Sequence, residues 1–293
     1  MAGQKEVILV TGCSTGLGRG CVIALSKRPN TLVVATARRL DSIMDLKESG
    51  MAAMVLECDV GSEESLKACM EKAATTLGGG FIDGVVCNAG LSSFGPVALQ
   101  PIEDMKKVYD TNVFGVVRTC QAAVPFMAKP KGRGGRIAIV GSISATLTTP
   151  FAGAYCSSKA AVHTFGEALR MELKPFGISV TNLHSGCIKS NFSVNASHNS
   201  SMGAYQGSMY NPVLDKIEAR IHASQVNPAT MAAEDVGAEI VRKVFGPGEA
   251  PAACGVAGGW FKFLVSGFMQ KWLPSCIMDG QLSKMFALHT LKP

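Results

Sequence analysis

The stretch Val7-Ile-Leu-Val-Thr-Gly-Cys-Ser-Thr-Gly-Leu-Gly18 decides the fold of this 293-residue chain. Its first four residues are apolar and partly β-branched, which is typical of a parallel strand buried on both faces. The glycines then predict a tight turn, and the residues that follow, Cys21–Leu25, have a helical pattern. A strand, a glycine-rich turn and a helix form the context in which backbone N–H groups can bind a dinucleotide phosphate. The alternative is that the glycines only turn a tight corner.

Strands and helices are predicted to alternate after this stretch. Strands are expected at 32–35, 54–56, 82–87, 137–140 and 178–183, and helices at 41–49, 62–77, 103–128, 152–174 and 233–245. This alternation predicts an α/β protein, a Rossmann-type doubly wound parallel sheet with helices on both faces. Ligands bind such sheets at the carboxyl ends of the strands. Gly12, Asp59, Asn88, Ser142 and Ser185 all fall at such ends.

The composition indicates one domain with a large core, because 47% of the residues are hydrophobic and 17% are charged. The net charge of +6 comes from scattered residues, so nucleic acid is not expected as a partner. The ten cysteines have no zinc-site spacing, which predicts buried free thiols in a reducing compartment and no metal. An apolar strand beginning at Val7 leaves no room for a signal peptide, so a cytoplasmic location is expected.

Tyr155 and Lys159 are candidates for acid–base chemistry. They are four residues apart, so on a helix they lie on one face, one turn apart. An ammonium group beside a phenol favours the phenolate, which predicts a lowered tyrosine pKa and a general acid usable near neutral pH. Ser142 follows the apolar run Ile137–Val140 and could point at the same spot. The alternative is an exposed tyrosine and lysine, which are common one turn apart on helices.

Arg38 is the candidate for cofactor selection. In dinucleotide-binding units an acidic residue about 20 positions after the glycine loop binds the ribose hydroxyls, whereas an arginine there accommodates a 2′-phosphate. Arg38 follows Gly18 at this spacing, and no acidic residue occurs between 31 and 40. The pattern therefore favours NADPH over NADH. The alternatives are that Arg39 has this role or that both arginines open a surface helix.

These segments together resemble the short-chain dehydrogenase/reductase family over residues 5 to about 190. Thr11–Gly18 matches the cofactor loop of that family, Asp59 its adenine-contacting aspartate, and Asn88-Ala-Gly90 its Asn-Ala-Gly element. Its catalytic tetrad is matched in order and spacing by Asn112, Ser142, Tyr155 and Lys159. Pattern and resemblance together predict NADP contacts at Gly12, Ser14, Gly16, Leu17, Gly18, Arg38, Asp59, Val60, Asn88, Ala89, Gly90, Tyr155, Lys159, Ile188 and Ser190.

The resemblance also implies the role of each tetrad residue. Tyr155 would donate a proton to a carbonyl oxygen, and Ser142 would polarise that oxygen. Lys159 would lower the tyrosine pKa and bind the nicotinamide ribose, and Asn112 would hold a water of a proton relay. The sequence departs from the family after the sixth strand, where Ser185-Gly186 replaces Pro-Gly and Ser190 replaces the usual threonine.

Lys174-Pro-Phe176, the segment 191–228, the predicted helix at 233–245 and an apolar tail with Leu273-Pro274 and Leu282-Ser-Lys-Met-Phe286 resemble the 1-acyl-dihydroxyacetone-phosphate reductases of fungi. The catalytic half is also similar to 17-beta-hydroxysteroid and retinol dehydrogenases. Residues 191–230 are predicted to be a substrate lid. Residues 191–212 are rich in Ser, Asn and Gly, and a loop that long is usually functional or disordered. Its aromatic residues Phe192, Tyr205 and Tyr210 are the predicted substrate contacts. The alternative is a plain surface loop.

Residues 255–293 form an apolar C-terminal extension in which residues 256–274 have an amphipathic helical pattern. Trp260, Leu264, Phe268 and Trp272 fall in one row, and Lys262 lies on the polar side. The segment is too short to cross a bilayer but could lie in its interface, on the cytosolic face of the endoplasmic reticulum or on lipid droplets. The alternative is a helix packed on its own domain or on a second subunit.

The predicted function is an NADPH-dependent carbonyl reductase with a lipophilic ketone substrate, in first place 1-acyl-dihydroxyacetone phosphate. A steroid, retinoid or other small-ketone oxidoreductase is the alternative within the family. A non-catalytic cofactor-binding protein is the alternative from another class, and the intact tetrad argues against it. The resemblance also implies that helices 103–128 and 152–174 could pair in a homodimer, although the sequence leaves a monomer open.

Overall fold

The computed structural model describes residues 5–128, 134–190, 192–258 and 275–291. The strands within these ranges are β1 (Glu6–Val10), β2 (Thr31–Ala37), β3 (Met54–Glu57), β4 (Gly84–Cys87), β5 (Arg136–Val140), β6 (Ser179–Ser185), β7 (Ile188–Lys189), β8 (Met231–Ala232) and β9 (Ala253–Val256). The helices are α1 (Gly16–Ser26), α2 (Met44–Glu48), α3 (Glu63–Leu77), α4 (Ile102–Tyr109), α5 (Gly115–Met127), α6 (Gly153–Leu173), α7 (Phe192–Asn199), α8 (Leu214–Val226), α9 (Ala233–Val244) and a C-terminal helix (Ser275–Met285).

Seven of the described strands form one parallel sheet in the order β3-β2-β1-β4-β5-β6-β9. The predicted Rossmann-type fold is therefore confirmed. The strand order reverses between β1 and β4, and a crevice at such a reversal is where open α/β sheets bind ligands. The short strands β7 and β8 pair separately beside this edge.

The core lies on both faces of the sheet because alternate residues of each strand point in opposite directions. Val7 and Leu9 belong to one buried cluster, with residues of α3, α5 and α6. Ile8 and Val10 belong to a second cluster on the other face, with residues of α1 and α9. This double burial explains why the first strand is apolar at every position from Val7 to Val10.

Four features differ from the sequence prediction or add to it. The helix predicted at 103–128 is interrupted by a π-helical turn, Asp110–Phe114, between α4 and α5. The predicted strand at 82–87 begins only at Gly84. The edge strand β9 was not predicted and pairs with β6. Ser62 is the N-cap residue of α3, since its Oγ atom accepts a hydrogen bond from Ser65 N at 3.1 Å.

The segment predicted as a structureless loop, 191–212, is partly helical, and this prediction is wrong. It contains α7 and two short 3-10 turns, Met202–Tyr205 and Asn211–Val213, and it leads directly into α8. The polar composition of the segment gave no sign of a buried helix face, yet the small residues Ser193 and Ala196 of α7 are buried. Among the described residues, this segment contributes to two small core clusters outside the main sheet.

The predicted amphipathic stripe at 256–274 lies almost entirely outside the described residues, so its contact with a membrane surface stays a prediction. Within the described ranges, no helix combines the length and the apolar character needed to span a bilayer. Free thiols were predicted for the cysteines, and the nine whose side chains the structure describes are free. Eight of them are buried, and Cys187 is partly exposed.

Candidate active site

A cleft of about 660 Å³ opens at the carboxyl ends of the strands. It is lined by the glycine loop after β1, by the ends of β4, β5 and β6, and by α7 and α8. Its lining includes most of the predicted cofactor contacts: Gly12, Ser14, Gly16, Leu17, Arg38, Asp59, Val60, Asn88, Ala89, Gly90, Ile188 and Ser190. Ser142, Tyr155 and Lys159 line the same cleft. The fold therefore brings the two groups of predicted residues together.

The glycine loop has a shape that side chains would obstruct. Gly12 and Gly16 have φ values of +71° and +61°, in the left-handed region that favours glycine. A Cβ atom on Gly12 would lie 2.9 Å from the Ala89 Cα atom, and one on Gly18 would lie 2.3 Å from the Gly12 carbonyl oxygen. Gly18 is not among the cleft-lining residues. Its role is to let α1 pack directly against the turn, which positions the loop.

Within the described ranges, no side chain caps the N-terminus of α1. The N-cap residue Thr15 makes no side-chain capping bond, and no acidic residue occurs in the first turn. The first amides of a helix lack partners within the helix, and the helix dipole places partial positive charge there. Uncapped amides beside an open glycine cradle are suited to a phosphate group. The described residues thus fit the diphosphate of a nicotinamide dinucleotide.

Asn88 holds the glycine loop in place. Its Nδ2 atom donates hydrogen bonds to the carbonyl oxygens of Thr11 at 2.9 Å and Gly12 at 3.0 Å. The Thr11 hydroxyl in turn accepts from the backbone nitrogens of Asn88 and Ala89, each at 3.0 Å. This reciprocal set ties β1 to β4 at the point where the strand order reverses. The side chain of Asn88 therefore holds the glycine loop in shape and also lines the cleft.

Arg38 and Arg39 differ in their surroundings at the end of β2. Arg38 lines the cleft, and no ion pair of its side chain is found among the described residues. Arg39 is not among the lining residues, and its Nε atom lies 3.8 Å from Asp41 Oδ1 in an exposed ion pair. Asp59 also lines the cleft, where its Oδ1 accepts from Gly61 N at 2.9 Å. The structure thus shows that Arg38 and not Arg39 lines the cleft, a distinction that the sequence could not make.

Ser142, Tyr155 and Lys159 meet where β5 ends and α6 begins. Ser142 caps the short turn Ile143–Ala145, since its hydroxyl accepts from Ser144 N at 3.1 Å. Lys159 Nζ donates to the Val140 carbonyl oxygen at 2.8 Å and lies 5.9 Å from the centroid of the Tyr155 ring. The strand end and the first two turns of α6 therefore fix all three side chains.

The pKa of Tyr155 is not lowered, which corrects the prediction. Burial raises the pKa of the Tyr155 phenol to about 12, although its hydrogen bond with Ser142 acts in the opposite direction. Burial also lowers the pKa of Lys159 to about 8. The expected effect of the ammonium is outweighed because both groups are shielded from water and the lysine proton is directed at Val140. At neutral pH the phenol keeps its proton.

Asn112 lies in the π-helical turn and is fully buried. Its Oδ1 accepts from Leu91 N at 2.9 Å, and its Nδ2 donates to the Leu91 oxygen at 2.9 Å and to Ser158 Oγ at 3.0 Å. Both N–H groups of the amide are thus used within the protein. The side chain joins the loop after β4 to α6 and acts as a positioning residue. The predicted water-holding role stays a prediction.

The match to known proteins extends over most of the chain. The model of the family described as short chain dehydrogenase matches residues 6–201. The chain belongs to the short-chain dehydrogenase/reductase family. A relative from Pestalotiopsis microspora, named short-chain dehydrogenase/reductase GME11361, is 31% identical over 100% of this chain and 98% of its own.

Two further proteins are similar to this short-chain dehydrogenase/reductase. Human 17-beta-hydroxysteroid dehydrogenase type 1 is 34% identical over 64% of this chain, and the matched part spans 58% of the human protein. The solved structure of a short-chain dehydrogenase from Streptomyces avermitilis superposes with a TM-score of 0.75 over 96% of this chain and 98% of its own. Its sequence identity is 23%, so this likeness concerns the fold.

The departure of this enzyme from the family pattern after β6 has a structural explanation. Ser185, which stands in place of the usual proline, donates its hydroxyl proton to the Gly141 carbonyl oxygen at 2.7 Å. The bond joins the ends of β6 and β5 next to Ser142. Ser190 lies close to the glycine loop, since a Cβ atom on Gly16 would be 2.8 Å from Ser190 Cβ. Both serines line the cleft, Ser185 beside the end of β5 and Ser190 beside the glycine loop.

Of the three predicted substrate contacts, only Phe192 lines the cleft, where its ring centroid lies 5.7 Å from that of Tyr155. The prediction for Tyr205 is wrong, because its side chain is fully buried, and Tyr210 is not among the cleft-lining residues. Tyr205 is fully buried in a cluster with Phe151 and Phe286, and Tyr210 packs edge-on against Phe151 at 6.2 Å. Both tyrosines were predicted as lid anchors because their segment resembled a loop, whereas it packs as a small core.

The sequence prediction missed several residues that line the substrate side of the cleft. They include Phe94, Leu147, Thr149, Arg220 and Ile221. The Phe94 ring centroid lies 6.3 Å from that of Tyr155, and Arg220 comes from α8, some 65 residues later in the chain. No local motif marks any of them. They come from separate loops and from α8, and only the tertiary structure brings them to one cleft.

Proposed function

We propose that this enzyme is an NADPH-dependent carbonyl reductase that acts on lipophilic ketones, in first place 1-acyl-dihydroxyacetone phosphate. One observation carries the proposal: a protonated tyrosine, with a serine and a lysine, faces the same cleft as a glycine cradle suited to a dinucleotide. The rings of Phe94 and Phe192 flank Tyr155 and support an apolar substrate body.

The chemistry needs a hydride and a proton for each carbonyl group. When bound, the nicotinamide cofactor supplies the hydride to the carbonyl carbon. The Tyr155 hydroxyl donates the proton to the carbonyl oxygen, which becomes the alcohol, and the phenolate is then reprotonated from water. Ser142 lies beside Tyr155 and can polarise the same oxygen. A phenol that keeps its proton at neutral pH is in the protonation state that ketone reduction requires.

The NADPH preference rests on Arg38, and Arg38→Asp is expected to weaken NADPH binding selectively. A charge-assisted hydrogen bond contributes about 1.5–3 kcal/mol, which corresponds to about ten- to a hundredfold in affinity. NADH has no 2′-phosphate, so its affinity should be unchanged or improved. Titration of both cofactors by fluorescence measures the two affinities.

Arg39→Asp is the matched control, because Arg39 lies outside the cleft lining one residue away. It should leave both affinities within about twofold if screened surface charge is the only change. A wild-type preference for NADH would contradict the role of Arg38. An equal loss of NADPH affinity in Arg38→Asp and Arg39→Asp would also contradict it.

The substrate class is tested by NADPH oxidation with a panel of ketones. We expect 1-acyl-dihydroxyacetone phosphate to give the highest kcat/KM, above a 17-keto steroid and retinal. The steroid is the second candidate, because a relative named 17-beta-hydroxysteroid dehydrogenase type 1 matches 64% of this chain. A higher kcat/KM for the steroid would replace the first candidate by the second. NADPH binding without turnover of any ketone would instead support the non-catalytic alternative.

A further inference from the structure

Arg220 is held at the substrate side of the cleft by two contacts. Its Nε atom donates a hydrogen bond to Thr149 Oγ1 at 3.0 Å. The central carbon of its guanidinium lies 4.9 Å from the centroid of the Phe94 ring, which fits a cation–π contact. The side chain is therefore fixed in orientation before any substrate binds.

The terminal nitrogens of Arg220 remain available. Within the part of the chain that the structure describes, neither Nη atom has a hydrogen-bond partner and no carboxylate forms an ion pair with this guanidinium. The side chain is half-buried, and this burial lowers the pKa of the Arg220 guanidinium. A partly desolvated cation is costly unless it is paired with an anion. A ligand that brings an anion would remove this cost.

The charges around the cleft favour such a ligand. The lining on the substrate side carries the basic side chains of Arg220 and Lys159. The only acidic residue among the described lining residues is Asp59. It follows β3, four strand positions from β5, which corresponds to about 19 Å at the usual strand spacing. The substrate side is thus positive and free of described carboxylates.

The apolar residues beside Arg220 indicate what the non-anionic part of the ligand is. Phe94, Leu147, Phe192 and Ile221 supply apolar surface next to Arg220. Phe94 contacts both the guanidinium and the Tyr155 ring, so an anion on Arg220 would lie beside the reacting carbonyl and not on it. A molecule with an apolar chain, a ketone and a nearby anionic group fits this arrangement.

We propose that Arg220 is a specificity-determining residue that binds a carboxylate or phosphate group of an apolar ketone substrate. The planar guanidinium offers paired N–H groups that match the geometry of both anions. The inference rests on the proposed function, because it names the substrate class of the same site. It does not depend on which ketone the enzyme reduces.

The binding test compares octyl phosphate, octanoate and 1-octanol by calorimetry, with and without NADPH. The wild-type protein should bind at least one of the two anions about ten- to a hundredfold more tightly than octanol. Comparison of the two anions distinguishes phosphate from carboxylate. Arg220→Met keeps the apolar stem and should lose this preference, whereas Arg220→Lys should retain part of it.

The kinetic test uses matched pairs: 1-acyl-dihydroxyacetone phosphate against its dephosphorylated form, and 3-oxodecanoate against its methyl ester. Arg220→Met should raise KM by about ten- to a hundredfold for the anionic member only, with kcat within a few-fold. Arg242→Met is the matched control, because Arg242 is exposed on α9 away from this cleft. It should behave as wild type in both tests.

Two outcomes separate the inference from the function on which it rests. The role of Arg220 would be overturned if Arg220→Met raised KM equally for the anionic and the neutral substrates, or if the anions bound no more tightly than octanol. The proposed reductase function would be unaffected by either result. Anion binding that depends on Arg220, with no ketone reduced, would support the anion site and contradict the proposed function. Thermal unfolding of each variant checks that it is folded.

Discussion

Replacement of Tyr155 by phenylalanine is expected to lower kcat for the best ketone by about 10²–10⁴-fold, the usual contribution of general acid–base catalysis. The substitution removes the proton donor and keeps the ring, which packs between Phe94 at 6.3 Å and Phe192 at 5.7 Å. The fold and the affinity for NADPH should therefore be preserved. Single-turnover oxidation of NADPH at saturating ketone measures the chemical step, and fluorescence titration measures cofactor binding.

Tyr210→Phe is the matched control for this experiment. Tyr210 also packs against an aromatic ring, that of Phe151, but is not among the cleft-lining residues. Its kcat should remain close to that of the wild type. Near-wild-type turnover of Tyr155→Phe would show that another group supplies the proton and would contradict the mechanism. A large loss in Tyr210→Phe would contradict the placement of Tyr210 outside the substrate site.

Acidification from pH 7.5 to pH 5 is expected to destabilise the protein through two buried histidines behind the active site. The rings of His163 and His184 pack edge to face with centroids 4.3 Å apart. Burial lowers the pKa of His163 to about 3 and that of His184 to about 4. The neighbouring His184 and Lys159, one helical turn before His163, further disfavour a positive charge on His163.

The loss of stability at low pH follows from the difference in His163 protonation between the unfolded and the folded protein. The unfolded chain takes up a proton near pH 6.5, whereas folded His163 stays neutral to about pH 3. The stabilisation is therefore complete above pH 6.5 and is lost as the pH falls towards 3. At pH 5, His163 alone should reduce the free energy of unfolding by about 2 kcal/mol. His184 acts in the same direction.

Urea unfolding at pH 7.5 and pH 5 measures this loss in the wild type and in His163→Gln. The glutamine cannot titrate, so the difference between the two pH values should shrink by about 2 kcal/mol, whatever the stability of the variant at pH 7.5. His198→Gln is the control, since His198 is exposed. An unchanged pH difference in His163→Gln would show that other groups cause acid unfolding.

The sequence was most informative where a function depends on local backbone shape. The glycines at 12, 16 and 18 and the apolar run before them predicted a strand, a turn and a helix, and the structure has β1, the cradle and α1 there. Helical spacing placed Tyr155 and Lys159 on one face of α6. These predictions succeeded because the constraints act between residues that are close in the chain.

Local pattern failed where packing overrides it. The run from 103 to 128 has the composition of one helix, yet the turn around Asn112 widens to a π-helix, in which the Asn112 amide bonds with Leu91 and Ser158. The strand β9 has weak strand signals and exists because the edge of β6 offers free backbone groups. Tyr205 was predicted to contact substrate because its segment is polar, but it fills a separate core.

The sequence by itself determined the family fold, the glycine cradle and the positions of Ser142, Tyr155 and Lys159 in the chain, because each depends on spacing within one strand, turn or helix. Only the tertiary structure decided which arginine after β2 faces the cleft, how burial sets the pKa values of Tyr155 and Lys159, and that Arg220 lies beside Phe94. The physical reason is that desolvation and charge pairing depend on all the groups packed around an atom, and those groups come from distant parts of the chain.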